Sequence, residues 1–312
     1  MSSPTLRDKI LACLGEFPAK PAPDLTFDSA EHMDTYIRHS VSYSVEQGER
    51  VNAYLLVPDK VDKSRKNPAI LAVHQHAGEW HLGKSEVVGL AGDPMYAYGL
   101  ELCQRGYIVL CPDHLAFEER IPEHFRRRPS DLREYERFAF CKYIQEGKCL
   151  QTKYLHDLSV ALDMLCSLDY VDTDKLGMIG HSLGGQETLW FTWYDSRIKA
   201  SIASCGFGKI NTIFRDWVNH NFALYVPGMA QFADIDEIVC DLAPRPFAAS
   251  WGALDDIFPI DGVREIVAKA EAVYAETGKQ GNFLPYIFED EHCFNPDFKK
   301  RAYGWLDGIL RG

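Results

Sequence analysis

The chain of 312 residues has no apolar run approaching the roughly 18 needed to cross a bilayer, so a membrane span is excluded as an expectation. Its opening, Met-Ser-Ser-Pro-Thr-Leu-Arg-Asp, has no apolar stretch of signal-peptide length, and a cytoplasmic protein is expected. Basic charge is in deficit. Thirty-three Lys and Arg against 45 Asp and Glu leave a net charge of −12, the wrong sign for holding a phosphate backbone, so nucleic acid is not expected as a partner. The one basic cluster, Arg126-Arg127-Arg128, lies among Glu123, Asp131 and Glu134 and reads as a solvated loop face. No C-x-x-C pair occurs, and the nine cysteines are odd in number, which fits reduced and mostly buried thiols. Repeats, low-complexity tracts and Gly/Ser linkers are also missing. The expectation is therefore a single domain over residues 1–312, with decorations.

What is present is ordinary globular composition, 46% hydrophobic and 25% charged, arranged in an alternating rhythm. A helix is expected over residues 5–16. Residues 35–44 and 50–58 read as strands around the turn Glu46-Gln47-Gly48-Glu49, an antiparallel hairpin. Short apolar runs follow at 68–73, 107–111, 175–179, 198–204, 247–251 and 283–288, as for strands buried on both faces. Amphipathic stretches at 94–104, 150–168, 183–194, 262–276 and 296–310 separate them. Strands alternating with helices imply an α/β fold, a mostly parallel twisted sheet with helices on both faces and the N-terminal hairpin as its antiparallel edge. Two stretches break the rhythm: 116–147, with a helix expected from 131, and 207–240. Connections that long are usually lids or binding elements, and both are expected over one end of the sheet.

The sharpest local signal is Gly180-His181-Ser182-Leu183-Gly184-Gly185, placed between an apolar strand and a helical stretch. A nucleophile on a sharp strand-to-helix turn holds a strained backbone, and side chains two residues either side would collide with neighbouring backbone, hence Gly180 and Gly184. A serine hydroxyl needs a base to take its proton, and the base needs an orienting acid. Asp255 follows the strand at 247–251, and His292 follows the strand at 283–288. The order Ser182, Asp255, His292 is the one this motif requires on an α/β sheet.

These residues give the chain a resemblance to the α/β-hydrolases, in the dienelactone-hydrolase-like and acetyl-xylan-esterase-like branch. It runs from about Val51 to the C-terminus and rests on Gly180 to Gly185, Leu242-Ala243-Pro244-Arg245-Pro246, Gly252-x-x-Asp255-x-x-x-Pro259 and His292. The family's G-x-x-D-x-x-x-P spacing selects Asp255 over Asp256. Dienelactone hydrolases proper carry a cysteine nucleophile, so Ser182 points to ordinary esters. The usual His-Gly pair after the third strand is here His74-Gln75-His76-Ala77-Gly78. The resemblance implies a serine esterase. Ser182 attacks, His292 acts as base then acid, Asp255 holds the imidazole's tautomer, and the oxyanion hole uses the backbone N–H groups of Leu183 and His76.

Other readings compete. His74-x-His76 with His81 nearby could ligate a metal, but Gly78 stands where an acidic ligand would complete the pattern. A buried, hydrogen-bonded His74 that shapes the turn is the expected alternative. His181 reads as a packing or solvent-facing residue, and His114 and His156 receive no role. A serine peptidase of the prolyl-oligopeptidase type without its propeller, or a non-catalytic ligand-binding protein on the hydrolase fold, are the other function classes. No metal or organic cofactor is required. The expected partner is a small-molecule ester, with no membrane partner and with a homo-oligomer left open. In 207–240 the spacing of Phe214, Trp217, Phe222 and Tyr225 approaches helical period, so one apolar face is expected over the pocket. Trp80, Trp217 and Phe222 are the expected substrate contacts, with Arg215 or Asn219 placed to orient a leaving group.

Overall fold

A computed structural model describes residues 3–127 and 132–312. Arg128 of the basic cluster, Asp131, and with it the start of the helix expected from 131, lie outside the described residues. In chain order the elements are α1 (Leu6–Leu14), β1 (Thr26–His32), β2 (Tyr36–Glu46), β3 (Glu49–Pro58), β4 (Asn67–Val73), α2 (Lys84–Val87), α3 (Tyr98–Gln104), β5 (Ile108–Pro112), α4 (Glu123–Arg126), α5 (Leu132–Gln145), α6 (Leu150–Cys166), β6 (Val171–His181), α7 (Leu183–Tyr194), β7 (Ile198–Ser204), α8 (Ile210–Arg215), α9 (Ile235–Asp241), β8 (Phe247–Gly252), α10 (Ile260–Glu276), β9 (Phe283–Phe288) and α11 (Pro296–Leu310).

The strands form one sheet in the order β1-β2-β3-β5-β4-β6-β7-β8-β9. From β5 to β9 every neighbour is parallel, and β1 to β3 add the antiparallel edge. The expected hairpin is there, with Gly48 at φ 79 in its turn. Strand β1 was not legible, because all seven of its residues are exposed and an edge strand wet on both faces carries no apolar alternation.

Alternation in the central strands sets the two layers of core. On β4, Ala69, Leu71 and Val73 face a cluster filled by α6, α7 and α10, whereas Ile70 and Ala72 face one filled by α3 and α11. Helices therefore cover both faces, as expected. Because the chain leaves β4 toward β5 on one side and β6 continues on the other, the carboxyl ends of β4 and β6 flank the point where strand order reverses. Crevices in parallel sheets open at such points.

Both irregular stretches lie over that end. The first, after β5, carries α4 and α5, and the second, after β7, carries α8 and α9. They meet through Phe140 and Phe222, whose rings stack at 5.0 Å. Beneath them Leu183, Phe117, Tyr154 and Ala223 close a small apolar cluster over the turn that follows β6.

Candidate active site

Ser182 sits between β6 and α7 at φ 54 and ψ −119, a backbone conformation that L-residues adopt at a steric cost. Its N–H donates to the carbonyl of Ser204 at 2.9 Å, which ties the turn to the end of β7. A Cβ on Gly180 would fall 2.2 Å from the backbone of Gly184, and one on Gly184 would fall 2.1 Å from the carbonyl of Val73. Close approach, rather than left-handed φ, is what those two glycines supply. Leu183 is the first residue of α7, where the leading N–H groups have no partner within the helix.

Asp255 and His292 come from the ends of β8 and β9. His292 Nδ1 lies 2.7 Å from Asp255 Oδ2, and Asp255 Oδ1 accepts the N–H of Ile257 at 3.0 Å. Asp255 is buried and its neighbour Asp256 is exposed. Nδ1 thus carries the proton toward a carboxylate, which leaves Nε2 as the basic nitrogen. Ser182 and His292 line one cavity of about 970 Å³, together with the turn after β4, Trp80, Tyr96, Glu136, Asn219, His220, Asn221 and Phe222.

The histidines separate cleanly. His74 is buried, with Nδ1 against the carbonyl of Gln75 at 2.7 Å and Nε2 accepting the N–H of His114 at 3.0 Å. Burial pulls its pKa down to about 4. It shapes the turn. His76 Nδ1 accepts the N–H of Gly78 at 3.0 Å, so its proton sits on Nε2, which donates to Glu136 at 2.9 Å. With the ring nitrogens of both histidines committed in this way, His74-x-His76 has no imidazole lone pair left for a metal. His181 is buried, bonds Ser204 Oγ at 3.0 Å and stacks on Tyr96 at 4.7 Å, so the packing reading holds. His220 is pulled down to about 4 by burial and then by nearby His292.

Among the described residues, three groups have ligand atoms within 4.8 Å of one another: Cys205 with Asp255 and His292, Glu46 with His156 and Asp157, and Asp113 with Glu118 and Glu119. Lysines occupy the last two. Lys84 Nζ bonds Asp113 at 2.6 Å and Glu118 at 2.5 Å, and Lys153 Nζ bonds Glu46 at 2.5 Å. The first group is the Asp255–His292 pair with the buried thiol of Cys205 behind it. All nine cysteines are free, but fewer are buried than expected: four are buried, four are half-buried and Cys141 is exposed.

Of the expected substrate contacts, Trp80 and Phe222 line the cavity, as does Asn219. Trp217 does not. It is 90% exposed at φ 58, just past the end of α8, and Phe214 is half exposed. The expected apolar helical face fails because α8 stops at Arg215 and Phe222 begins a separate 3-10 turn, so the four aromatics do not share one helix. Arg215 pairs with Asp216 and Asp261 at the surface and does not line the cavity. Glu136, Tyr96 and His220 had no spacing signal that marked them. They reach the cavity through tertiary folding of the insertions and of the segment before α3.

A candidate acetyl xylan esterase of Bacteroides fragilis superposes with a TM-score of 0.76 at 18% identity, covering 91% of this chain and 73% of that one. The glucuronoyl esterase of Solibacter usitatus gives 0.70 at 18% identity over 98% of this chain and 92% of its own. In sequence, YtaP of Bacillus subtilis, named as a candidate hydrolase, is 28% identical over 275 residues, 87% of this chain and 88% of its own. The profile of the Dienelactone hydrolase family matches residues 51–275, which hold the serine turn and Asp255, and the chain belongs to that family of α/β-hydrolases.

Proposed function

We propose that the chain hydrolyses carboxylic esters through an acyl-enzyme formed on Ser182. The observation that carries this is the 2.7 Å bond from His292 Nδ1 to the buried carboxylate of Asp255, in the same cavity as a serine held at φ 54. With the Nδ1 proton held by Asp255, Nε2 takes the Ser182 hydroxyl proton as Oγ attacks the ester carbonyl. The N–H groups of Leu183 and His76 receive the developing oxyanion, donors typically worth ~3–4 kcal/mol each in the transition state. His292 then returns its proton to the departing alcohol oxygen, and a water activated by the same Nε2 cleaves the acyl-enzyme, releasing the acid and restoring Ser182. The bond from His76 Nε2 to Glu136 fixes the turn that would carry the second donor. Ester chemistry, rather than amide chemistry, draws support from the esterases named among the structural neighbours.

The test is direct. A fluorophosphonate should label Ser182, an aryl acetate should turn over, and an aminoacyl arylamide should not. Ser182→Ala should lower kcat by about 10⁴–10⁶. Labelling elsewhere, or preferential cleavage of the arylamide, would overturn the reading.

A further inference from the structure

We infer that the cavity selects an uncharged ester carrying a hydroxyl donor beside the scissile bond, that Glu136 recognises this donor, and that anionic esters are rejected. This rests on the ester-hydrolase reading above and adds the substrate class.

Two independent observations meet at this residue. The first is charge. Glu79, Glu86, Asp93 and Glu136 line the cavity against Arg133; Glu86 and Glu136 are buried, whereas Glu79, Asp93 and Arg133 are exposed. Both oxygens of Glu86 are already in use, one accepting from Gln75 Nε2 at 2.9 Å and the other from the N–H of Asp93 at 3.2 Å. A substrate carboxylate placed beside the buried Glu86 and Glu136 would meet like charge where solvent screens it least.

The second observation is an unmet hydrogen bond. Glu136 Oε2 accepts two N–H donors, His76 Nε2 and Trp80 Nε1, each at 2.9 Å. Oε1 is buried and has no donor. Buried polar atoms are almost always paired, and an unpaired acceptor in a functional cavity calls for a partner. Nothing on α5 supplies one. Glu136 itself lines the cavity, so a group bound there is the source of a donor for Oε1. The bond to His76 places the carboxyl one side chain away from the turn assigned to the oxyanion. A donor bound there sits next to the acyl centre. A hydroxyl satisfies both observations, being a single donor without negative charge, whereas an ammonium would bring three donors to this one free buried oxygen.

The experiment compares four acetates on the full chain: glyceryl monoacetate, propyl acetate, acetylglycolate and O-acetylethanolamine. For the wild type, kcat/KM for glyceryl monoacetate should exceed that for propyl acetate by about tenfold or more, as expected for one hydrogen bond to a charged acceptor, with acetylglycolate poorest. Glu136→Gln can keep its amide oxygen on His76 and Trp80 and present an NH₂ where Oε1 stands. The ratio of glyceryl monoacetate to propyl acetate should then fall by about tenfold, and acetylglycolate should gain relative to both. An unchanged ratio in a variant that melts cooperatively overturns the inference, and so does a wild-type preference for the ethanolamine ester, which would make the site one for cations. If Glu136→Gln does not fold, the wild-type ratios decide alone, and equal kcat/KM for all four esters overturns the assignment. Failure of every acetate together with no labelling of Ser182 would instead remove the ester reading beneath it.

Discussion

His292 keeps 24% of its side-chain surface while the Asp255 carboxylate bonded to it has none, so one end of the imidazole is fixed in the protein and the other opens to the cavity. That asymmetry is what a base needs. It also ranks the two adjacent carboxylates. Asp255→Asn turns an acceptor into a group that can present N–H to Nδ1, favouring the wrong tautomer, and kcat should fall by about 10³–10⁴. Asp256 is exposed and makes no such bond, so Asp256→Asn should cost about tenfold or less. Steady-state kinetics of the two variants on one aryl ester check the ranking. The reverse order would move the acid to Asp256.

Phe222 and Trp217 should now behave differently. Phe222 lines the cavity and stacks on Phe140, so Phe222→Ala should change relative kcat/KM among esters of different alcohol size and cost ~1–2 kcal/mol of stability, less than a fully buried Phe. Trp217, at 90% exposure, should give Trp217→Ala within about 0.5 kcal/mol of wild type and no change in ester selectivity. Denaturant unfolding with a panel of acyl and alcohol chain lengths measures both. A selectivity change from Trp217→Ala alone would mean that the segment folds back over the cavity in turnover.

Legibility followed burial. The parallel strands, the hairpin and α6, α7, α10 and α11 could be read because each buries an apolar face whose period survives in the sequence. The order of Ser182, Asp255 and His292 could be read because the sheet imposes it: one residue follows β6, one β8 and one β9. Glu136 and His220 could not, since they enter the cavity from insertions with no period. Trp217 misled because four aromatics at near-helical spacing resemble one face even when a turn separates them. Lys84, Lys153 and Arg120 are buried, although charged residues in sequence read as surface.

Glu187 gives a pH-dependent stability. On α7, five residues after Ser182, its carboxyl is buried and accepts from Gln151 Nε2 at 2.7 Å and from Gln186 Nε2 at 3.3 Å, and burial raises its pKa to about 8. An acid whose folded pKa lies above its unfolded value binds more protons when folded, so stability falls as pH rises from about 4.5 to about 8. Glu187→Gln removes that titration at the expense of the weaker, 3.3 Å contact. The variant should exceed wild type by ~2–4 kcal/mol at pH 9 and approach it near pH 5. Chemical denaturation at the two pH values tests this, and a pH-independent difference would show that Glu187 does not titrate in this range.

Lys153 offers a test of how the insertion after β5 is held to the scaffold. Its side chain on α6 has no solvent exposure, and Nζ lies 2.5 Å from Glu46, 2.8 Å from Glu49 and 3.0 Å from Asp157. Arg120, in the turn between β5 and α4, bonds the same Glu49 and, at 2.6 Å, Asp157. Two cations and three carboxylates thus join the β2–β3 turn, α6 and the root of the insertion. Burying such groups is costly, so the network adds little stability over an apolar core of the same shape; removing one member is different, because the remaining charges are stranded. Lys153→Met leaves three carboxylates with Arg120 as their one remaining cation and should cost ~2–4 kcal/mol, a cost that added salt lowers only in part, because Asp157 is buried while Glu46 and Glu49 are about a third exposed. Below the unfolding transition ester turnover at the proposed site should keep its kcat, since none of these residues lines the cavity that holds Ser182. Urea unfolding at low and high salt, beside ester turnover at the same temperature, separates the outcomes. A cost below about 1 kcal/mol would mean that water or a shifted side chain replaces the lysine, and that the insertion is held instead by its apolar contacts around Phe117 and Tyr154.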